Sequence, residues 1–216
     1  MQDIYVYGCG GVGRELCDCF LSSDKYRMRG FIDDNTGIRE CMGFQCRTLN
    51  EMITERNMKE IRVIISIGEP FIRRIVSEKL AKVGIDELTV DFSEHFNPNY
   101  SLVGVGTLLH SNSYISVNSC IGKSCFINKD ALVGHDCKIG DYSVLSPRVT
   151  LGGNVSVGEN SYIGTGALIR NGITIGKNVI VGMGAVVVNN IDDDCVVVGN
   201  PARFLRKNES HRVFKR

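Results

Sequence analysis

The sequence has little of what marks a secreted, membrane-bound or nucleic-acid-binding protein. No apolar run approaches the roughly 18 residues that a spanning helix needs. The opening MQDIYVYGCGG enters a strand pattern without the basic and apolar regions of a signal peptide. The 25 basic and 24 acidic side chains nearly cancel, so no broad positive field awaits a phosphate backbone. Tryptophan is absent and aromatics make up only 7%, with none of the basic and aromatic interleaving that stacks bases. The nine cysteines are odd in number, scattered and never spaced CxxC, which argues against a disulfide framework or a zinc site. The expectation is a cytoplasmic protein with reduced thiols and no membrane or nucleic-acid partner. Only four prolines stand against 24 glycines, so regular turns fall to glycine.

What is present divides at about residue 96. Over residues 1–96, apolar runs alternate with helix-like stretches. Asp3 to Tyr7 reads as a buried strand and Gly11 to Leu21 as a helix carrying Leu16 and Phe20 on one face. Met28 to Asp33 is a second strand, Leu49 to Arg56 a helix, and Ile61 to Ile67 (IRVIISI) a central parallel strand. Glu69 to Val83 is helical, with Ile72, Ile75, Val76 and Leu80 on one stripe. This alternation implies a small parallel sheet. His95 to Asn99 breaks both periods and reads as a linker.

Residues 97–216 follow a different rule. An aliphatic residue returns every six positions from Val103 to Val187, fifteen times without a slip. Four residues after each stands a mostly small side chain, among them Ser119, Cys125, Ala131 and Cys137. Six helical steps of 100° end at 240°, so no helix keeps such a stripe, and a single strand of this length is physically unreasonable. A solenoid satisfies the period if each hexad forms one side of a triangular coil. Three hexads then make an 18-residue coil, and five coils stacked at about 4.8 Å rise roughly 24 Å.

This repeat resembles that of the hexapeptide-repeat transferases. The resemblance implies a left-handed parallel β-helix and a homotrimer with sites between neighbouring prisms; the hand does not follow from the period. Within Val133-Gly134-His135-Asp136-Cys137, His135 falls two residues after an inward position and faces outward. Most such residues are exposed turn positions, but the resemblance implies a general base, and a neutral imidazole suits proton removal near neutral pH. Asp136 is placed to fix the tautomer of the ring if a corner brings the two together. One coil after His135 stands Gly153, where the pair Gly152-Gly153 leaves space beside the base and exposes backbone N–H groups suited to an oxyanion. Cys137 occupies an inward small position and reads as core filler.

At the end of the first strand, Gly8-Cys9-Gly10-Gly11-Val12-Gly13 is a GxGxxG at a strand-to-helix junction, with Asp33-Asp34 ending the second strand. Glycine N–H groups at a helix N-terminus cradle phosphate, and acidic side chains accept from a ribose or base. A full dinucleotide fold needs two such halves, and residues 1–96 have room for one, hence one nucleotide.

A Gly-rich half-sheet ahead of a hexapeptide β-helix is similar to a bacterial group containing UDP- and dTDP-4-amino-sugar N-acetyltransferases and sialic-acid O-acetyltransferases. The resemblance rests on Tyr7-Gly8-x-Gly10-Gly11-x-Gly13, Phe31-Ile32-Asp33-Asp34, Ser66-Ile67-Gly68, His135-Asp136 and Gly199-Asn200-Pro201-Ala202. It implies Gly10, Gly11, Val12, Asp33 and Asp34 for a nucleotide-linked amino sugar, His135 as base with Asp136 tuning it, and acetyl-CoA as co-substrate beside Val144, Thr165 and Met183. Many members of the group carry Glu in place of Asp136 and a polar residue in place of Val144. The basic stretch from Arg203 to Arg216 reads as a solvated tail, or as a phosphate contact for CoA through Arg203, Arg206 or Lys207.

The implied reaction is N-acetylation of a nucleotide-linked 4-amino sugar. The alternatives are O-acetylation of sialic acid or another glycan hydroxyl, a non-catalytic nucleotide-binding scaffold, and, from GxGxxG alone, an NAD-dependent oxidoreductase. A three-histidine metal site of the carbonic-anhydrase kind is disfavoured. Only His110 and His135 lie in the repeat, and their separation of 25 is not a multiple of 18.

Overall fold

The structure, a computed structural model, describes residues 1–55 and 61–214. Its contacts divide these into two units: Met1–Gly68 with Ile75–Leu88, and Glu69–Arg74 with Thr89–Arg216.

In the first unit, the chain runs β1 (Gln2–Tyr7), α1 (Gly11–Leu21), β2 (Tyr26–Ile32), β3 (Glu40–Cys41), β4 (Phe44–Arg47), α2 (Leu49–Glu55) and β5 (Arg62–Ile65). The helix α3 (Pro70–Lys82), which belongs to this unit from Ile75 onward, and the strand β6 (Asp86–Glu87) follow. One sheet of order β3-β4-β2-β1-β5-β6 results, parallel throughout except for the β3-β4 hairpin. The apolar runs explain the middle strands: Ile4 to Tyr7 and Val63 to Ile65 are all buried. Helix α1 buries Gly13, Leu16, Cys17 and Phe20, spaced three, four and seven apart, which is the face a 3.6-residue period presents. The hairpin at Glu40–Arg47 and the strand β6 are additions to the sequence reading. The residue Arg56, expected to end α2, lies outside the described residues.

The second unit is the repeat. Strands of two residues pair with those 18 positions away, as in Ile115 with Val133, Ile121 with Ile139 and Ile127 with Leu145. Three parallel stacks result, one per face of the coil. Of the fifteen aliphatic positions, all from Leu109 to Val187 are buried, and Val103 at the open end is partly so. Each inward Leu, Ile or Val removed from water contributes about 1.5–3 kcal/mol. The corners also keep the period. From residue 112 to residue 184 a left-handed backbone recurs every six residues, at Asn112, Asn118, Ser124, Asp130, Asp136 and onward, with glycine at 166, 172 and 184. Asn, Asp and Gly dominate because they tolerate positive φ best.

Two features depart from the sequence reading. Val90–Asp91 already pairs with Leu108–Leu109, and His95 bridges to Tyr114 and stacks on it at 4.7 Å. The stretch read as a linker is therefore built into the repeat unit, and the contact division falls after Leu88 where the composition changes after Phe96. The basic C-terminal stretch is also more than a solvated tail. Arg203–Lys207 forms an exposed strand antiparallel to Cys195–Val198, while Glu69 accepts hydrogen bonds from the Val213 and Phe214 amides. Lys215 and Arg216 lie outside the described residues.

Candidate active site

His135 sits at the corner that follows Leu132–Val133. The close stacking of coils explains its neighbours: a Cβ at Gly134 would strike the backbone of Gly152 and Gly153 in the next coil. The following residue, Asp136, has φ 60°, which ends the extended run and turns its carboxylate back beside the ring. Asp136 Oδ2 lies 2.6 Å from His135 Nδ1. An ionised carboxylate only accepts, so this contact holds the proton on Nδ1 and leaves the lone pair on Nε2. The hydrogen bond from His135, with a second from Asn118, keeps the Asp136 carboxyl below the usual carboxylate range. Both side chains are about half exposed, 53% for His135 and 42% for Asp136, so a reactant can reach the pair from solvent.

Gly153 lies over the imidazole. A Cβ added there would fall within 3.0 Å of Nε2, Cε1 and Cδ2 of His135. Glycine at 153 is thus the residue that admits the ring, and it brings bare backbone up to the imidazole. Cys137 points inward, is fully buried and donates to the Gly152 carbonyl at 3.2 Å. Burial pushes its thiol pKa up, the opposite of what a nucleophile needs.

The residues expected beside acetyl-CoA separate. Thr165 is exposed and Met183 is 80% exposed, stacked one coil apart at the corner after Tyr162–Ile163 and Ile180–Val181. Val144 is only 2% exposed, between Phe126 and Tyr162 on neighbouring coils, so its side chain offers a ligand almost no surface. Within one chain, His135 and the Thr165–Met183 pair occupy different corners. The face between those corners exposes Tyr114, Leu132 and Leu168. Near the last coil, a cavity of about 500 Å³ is lined by Arg203, Phe204 and Lys207 among others.

In the first unit the glycines of GxGxxG have separate duties. Gly8 has φ +111°, and a Cβ at Gly13 would run into the Gly8 carbonyl, so these two allow α1 to pack closely on β1. Gly10 and Gly11 face open space, where a Cβ meets nothing within 4 Å. Gly10 caps α1 without a side-chain hydrogen bond, and Val12 opens the helix half-buried. The acidic pair is engaged within the chain. Asp33 accepts from the Cys9 and Asn35 amides, whereas Asp34 accepts from Tyr7 Oη, Lys79 Nζ and the Leu49 amide. Burial raises the Asp34 pKa, but the Lys79 and Tyr7 hydrogen bonds outweigh it, leaving the group lowered. The loop-shaping role of Asp33 was not foreseen, since a 24-residue separation in sequence carries no signal of it.

Among the described residues no helix is long and apolar enough to cross a membrane, and no cluster of three or more His, Cys, Asp or Glu is placed to hold a metal ion.

Comparisons with known proteins cover both units. The PglD N-terminal domain model matches residues 3–80, and the bacterial transferase hexapeptide model, of six repeats, matches 118–153 and 154–189. The structure of WeeI from Acinetobacter baumannii is 33% identical, with 94% of this chain and 100% of that one covered, at a TM-score of 0.81. The acetyltransferase domain of PglB from Neisseria gonorrhoeae is 29% identical over 95% of this chain and 100% of that one, at a TM-score of 0.82. A histidine-to-asparagine mutant of perosamine N-acetyltransferase from Caulobacter crescentus, in complex with CoA and GDP-perosamine, is 26% identical over 95% and 97%, at a TM-score of 0.87. No curated protein sequence matches the chain.

Proposed function

The chain belongs to the bacterial hexapeptide-repeat sugar acetyltransferases, and from that premise we propose that it acetylates the amine of a nucleotide-linked 4-amino sugar with His135 as general base. Its repeat is the left-handed parallel β-helix of that family, and acetyl-CoA is its co-substrate. It is an acyltransferase of sugars, acting in N-acetylation. The observation that carries the choice of base is the half-exposed His135 ring, with Nδ1 tied to Asp136, Nε2 free of that contact, and Gly153 keeping its place open.

The acceptor amine attacks the thioester carbonyl carbon of acetyl-CoA while His135 Nε2 removes its proton. The tetrahedral oxyanion meets the Gly153 N–H, since the flanking Gly152 and Asn154 amides donate to the Ile169 and His135 carbonyls. Collapse breaks the carbon–sulfur bond, and the CoA thiolate leaves with the proton held by the imidazolium. No acetyl-enzyme is needed, which fits the buried, raised thiol of Cys137.

The nucleotide of the acceptor meets the Gly10–Val12 backbone, at the end of β1, where the sheet order switches between β2 and β5. Asp33 and Asp34 serve this site by holding the loop and the strand ends through the contacts described above. Acetyl-CoA runs past Thr165 and Met183 toward the Arg203–Lys207 strand; Val144, being enclosed, takes no part through its side chain. Because His135 and Thr165 stand at different corners of one prism, we assign the working form as a cytoplasmic homotrimer, in which one copy supplies the base and its neighbour the acetyl-CoA corner. The face exposing Tyr114, Leu132 and Leu168 is the apolar surface available for that contact.

The test is mass-spectrometric detection of product from acetyl-CoA and a panel of UDP-, dTDP- and GDP-linked 4-amino and 4-hydroxy sugars, with free sialic acid alongside. An acetylated product from the amino sugars alone supports the reading, and the nucleobase of the best acceptor names the nucleotide. Product only from hydroxyl acceptors replaces it with O-acetylation. Nucleotide binding without any product favours the scaffold.

A further inference from the structure

Asp136 has a second partner that the proposed reaction does not use. In the coil before it, Asn118 Nδ2 donates to Asp136 Oδ1 at 3.3 Å, while Oδ2 accepts from His135. The two carboxylate oxygens are thus held from different sides. Asn118 also has a left-handed backbone, φ 58°, and its amide donates to the Tyr100 carbonyl, so its position is set by the corner itself.

From this geometry we infer that Asn118 is a positioning residue for the His135–Asp136 pair, fixing the carboxylate so that it holds the imidazole with Nε2 aimed outward. The inference rests on His135 being the base. Asp136 is joined to its backbone by a short side chain with two torsions, and without Asn118 its carboxylate can rotate away from Nδ1 into water. The lowered pKa of Asp136, to which Asn118 contributes after His135, agrees with a carboxylate held in its ionised form.

The repeat contains its own control. At another corner, Asn112 Nδ2 donates to Asp130 Oδ1, also at 3.3 Å and also one coil apart, with φ 60° at Asn112. No histidine stands on that aspartate; its other described contact is an ion pair with Arg148 at 3.7 Å. An Asn–Asp rung is therefore a structural device of these corners: a third joins Asn178 Nδ2 to Asp194 Oδ1 at 2.9 Å, where His211 meets the same oxygen through Nε2 at 3.1 Å, whereas at Asn118 the histidine is tied through Nδ1 and is the proposed base.

The experiment compares Asn118→Gly, Asn112→Gly and His135→Ala in the full chain, with Asn118→Asp as a fourth variant. Glycine removes the amide and keeps the left-handed backbone. The expected result is a fall in kcat of about three- to tenfold for Asn118→Gly, a fraction of the 10²–10⁴-fold a general base supplies. The KM for acetyl-CoA stays unchanged. Asn112→Gly shifts the melting temperature as much as Asn118→Gly does and leaves kcat alone. Asn118→Asp sets a second carboxylate against Asp136 and moves the acid limb of the kcat/KM profile to higher pH, since two carboxylates favour the protonated imidazole. If His135→Ala keeps full turnover, the underlying assignment of the base fails. If it loses turnover while Asn118→Gly and Asn112→Gly behave alike in kcat and in pH profile, the positioning role of Asn118 is overturned.

Discussion

The two units of this chain announce function in opposite ways. In the β-helix, a strict six-residue rule assigns nearly every inward side chain and every corner, so function is found where a residue does more than the rule asks. The proposed base His135 and its neighbour Gly153 depart from the rule in this way: the repeat does not need a ring over a bare backbone, yet the structure builds one. The N-terminal unit has no period to depart from. There the candidates emerge by subtracting structural duty, since Gly8 and Gly13 are committed to packing while Gly10 and Gly11 face open space. A regular scaffold exposes its site as an exception; an irregular one exposes it as a remainder.

That contrast can be broken or sharpened by substitution. The largest effect is expected from Gly153→Ala. Its Cβ displaces the His135 ring, a movable side chain, so kcat falls about 10²- to 10⁴-fold, as on losing a general base. Thermal unfolding, measured alongside, moves little. In the same coil, Leu151→Ala hollows a fully buried position and costs about 2–5 kcal/mol by denaturant titration. A smaller loss separates the glycines of the first unit. Gly13→Ala costs about 1–3 kcal/mol through its collision with the Gly8 carbonyl. Gly10→Ala, which meets no neighbour, costs only the difference between a glycine and an alanine N-cap, about 0.5–1 kcal/mol, and raises the KM for the nucleotide sugar. Equal destabilisation by both would undo the division of duties.

The smallest effect concerns Asp34. Its folded pKa is depressed, so the stabilisation it brings is present above its unfolded value, 3.8, and is lost as pH falls through the folded value. Asp34→Asn is therefore less stable than wild type near about pH 7, and the gap closes below about pH 3.8. A gap independent of pH would mean that the Lys79 and Tyr7 contacts act through packing alone.

How far the sequence could be read follows the same contrast. Six-residue spacing identifies the solenoid, its 18-residue coil and the outward setting of His135, because each claim is local and repeated. The alternation of strands and helices before residue 88 was equally legible. What was not legible depends on tertiary contact. Glu40–Arg47 forms a hairpin around Met42 and Gly43, both at positive φ, with too few residues to show alternation. Arg73 looks like a solvated helical residue, yet it is fully buried, donating to the Ser124 and Cys125 carbonyls. Val144 occupies an outward position of its hexad and is nonetheless enclosed. The aspartates after β2 matched a ligand-binding pattern, while their hydrogen bonds to the Cys9 amide, Tyr7 and Lys79 could be seen only in the folded chain.

The most direct test of the central claim is turnover by His135→Ala, with acetyl-CoA and nucleotide-sugar affinities measured by calorimetry on the same preparation. The account predicts that kcat falls at least about a hundredfold while both affinities stay within a few-fold of wild type. Undiminished kcat with intact binding would contradict it and move the base elsewhere.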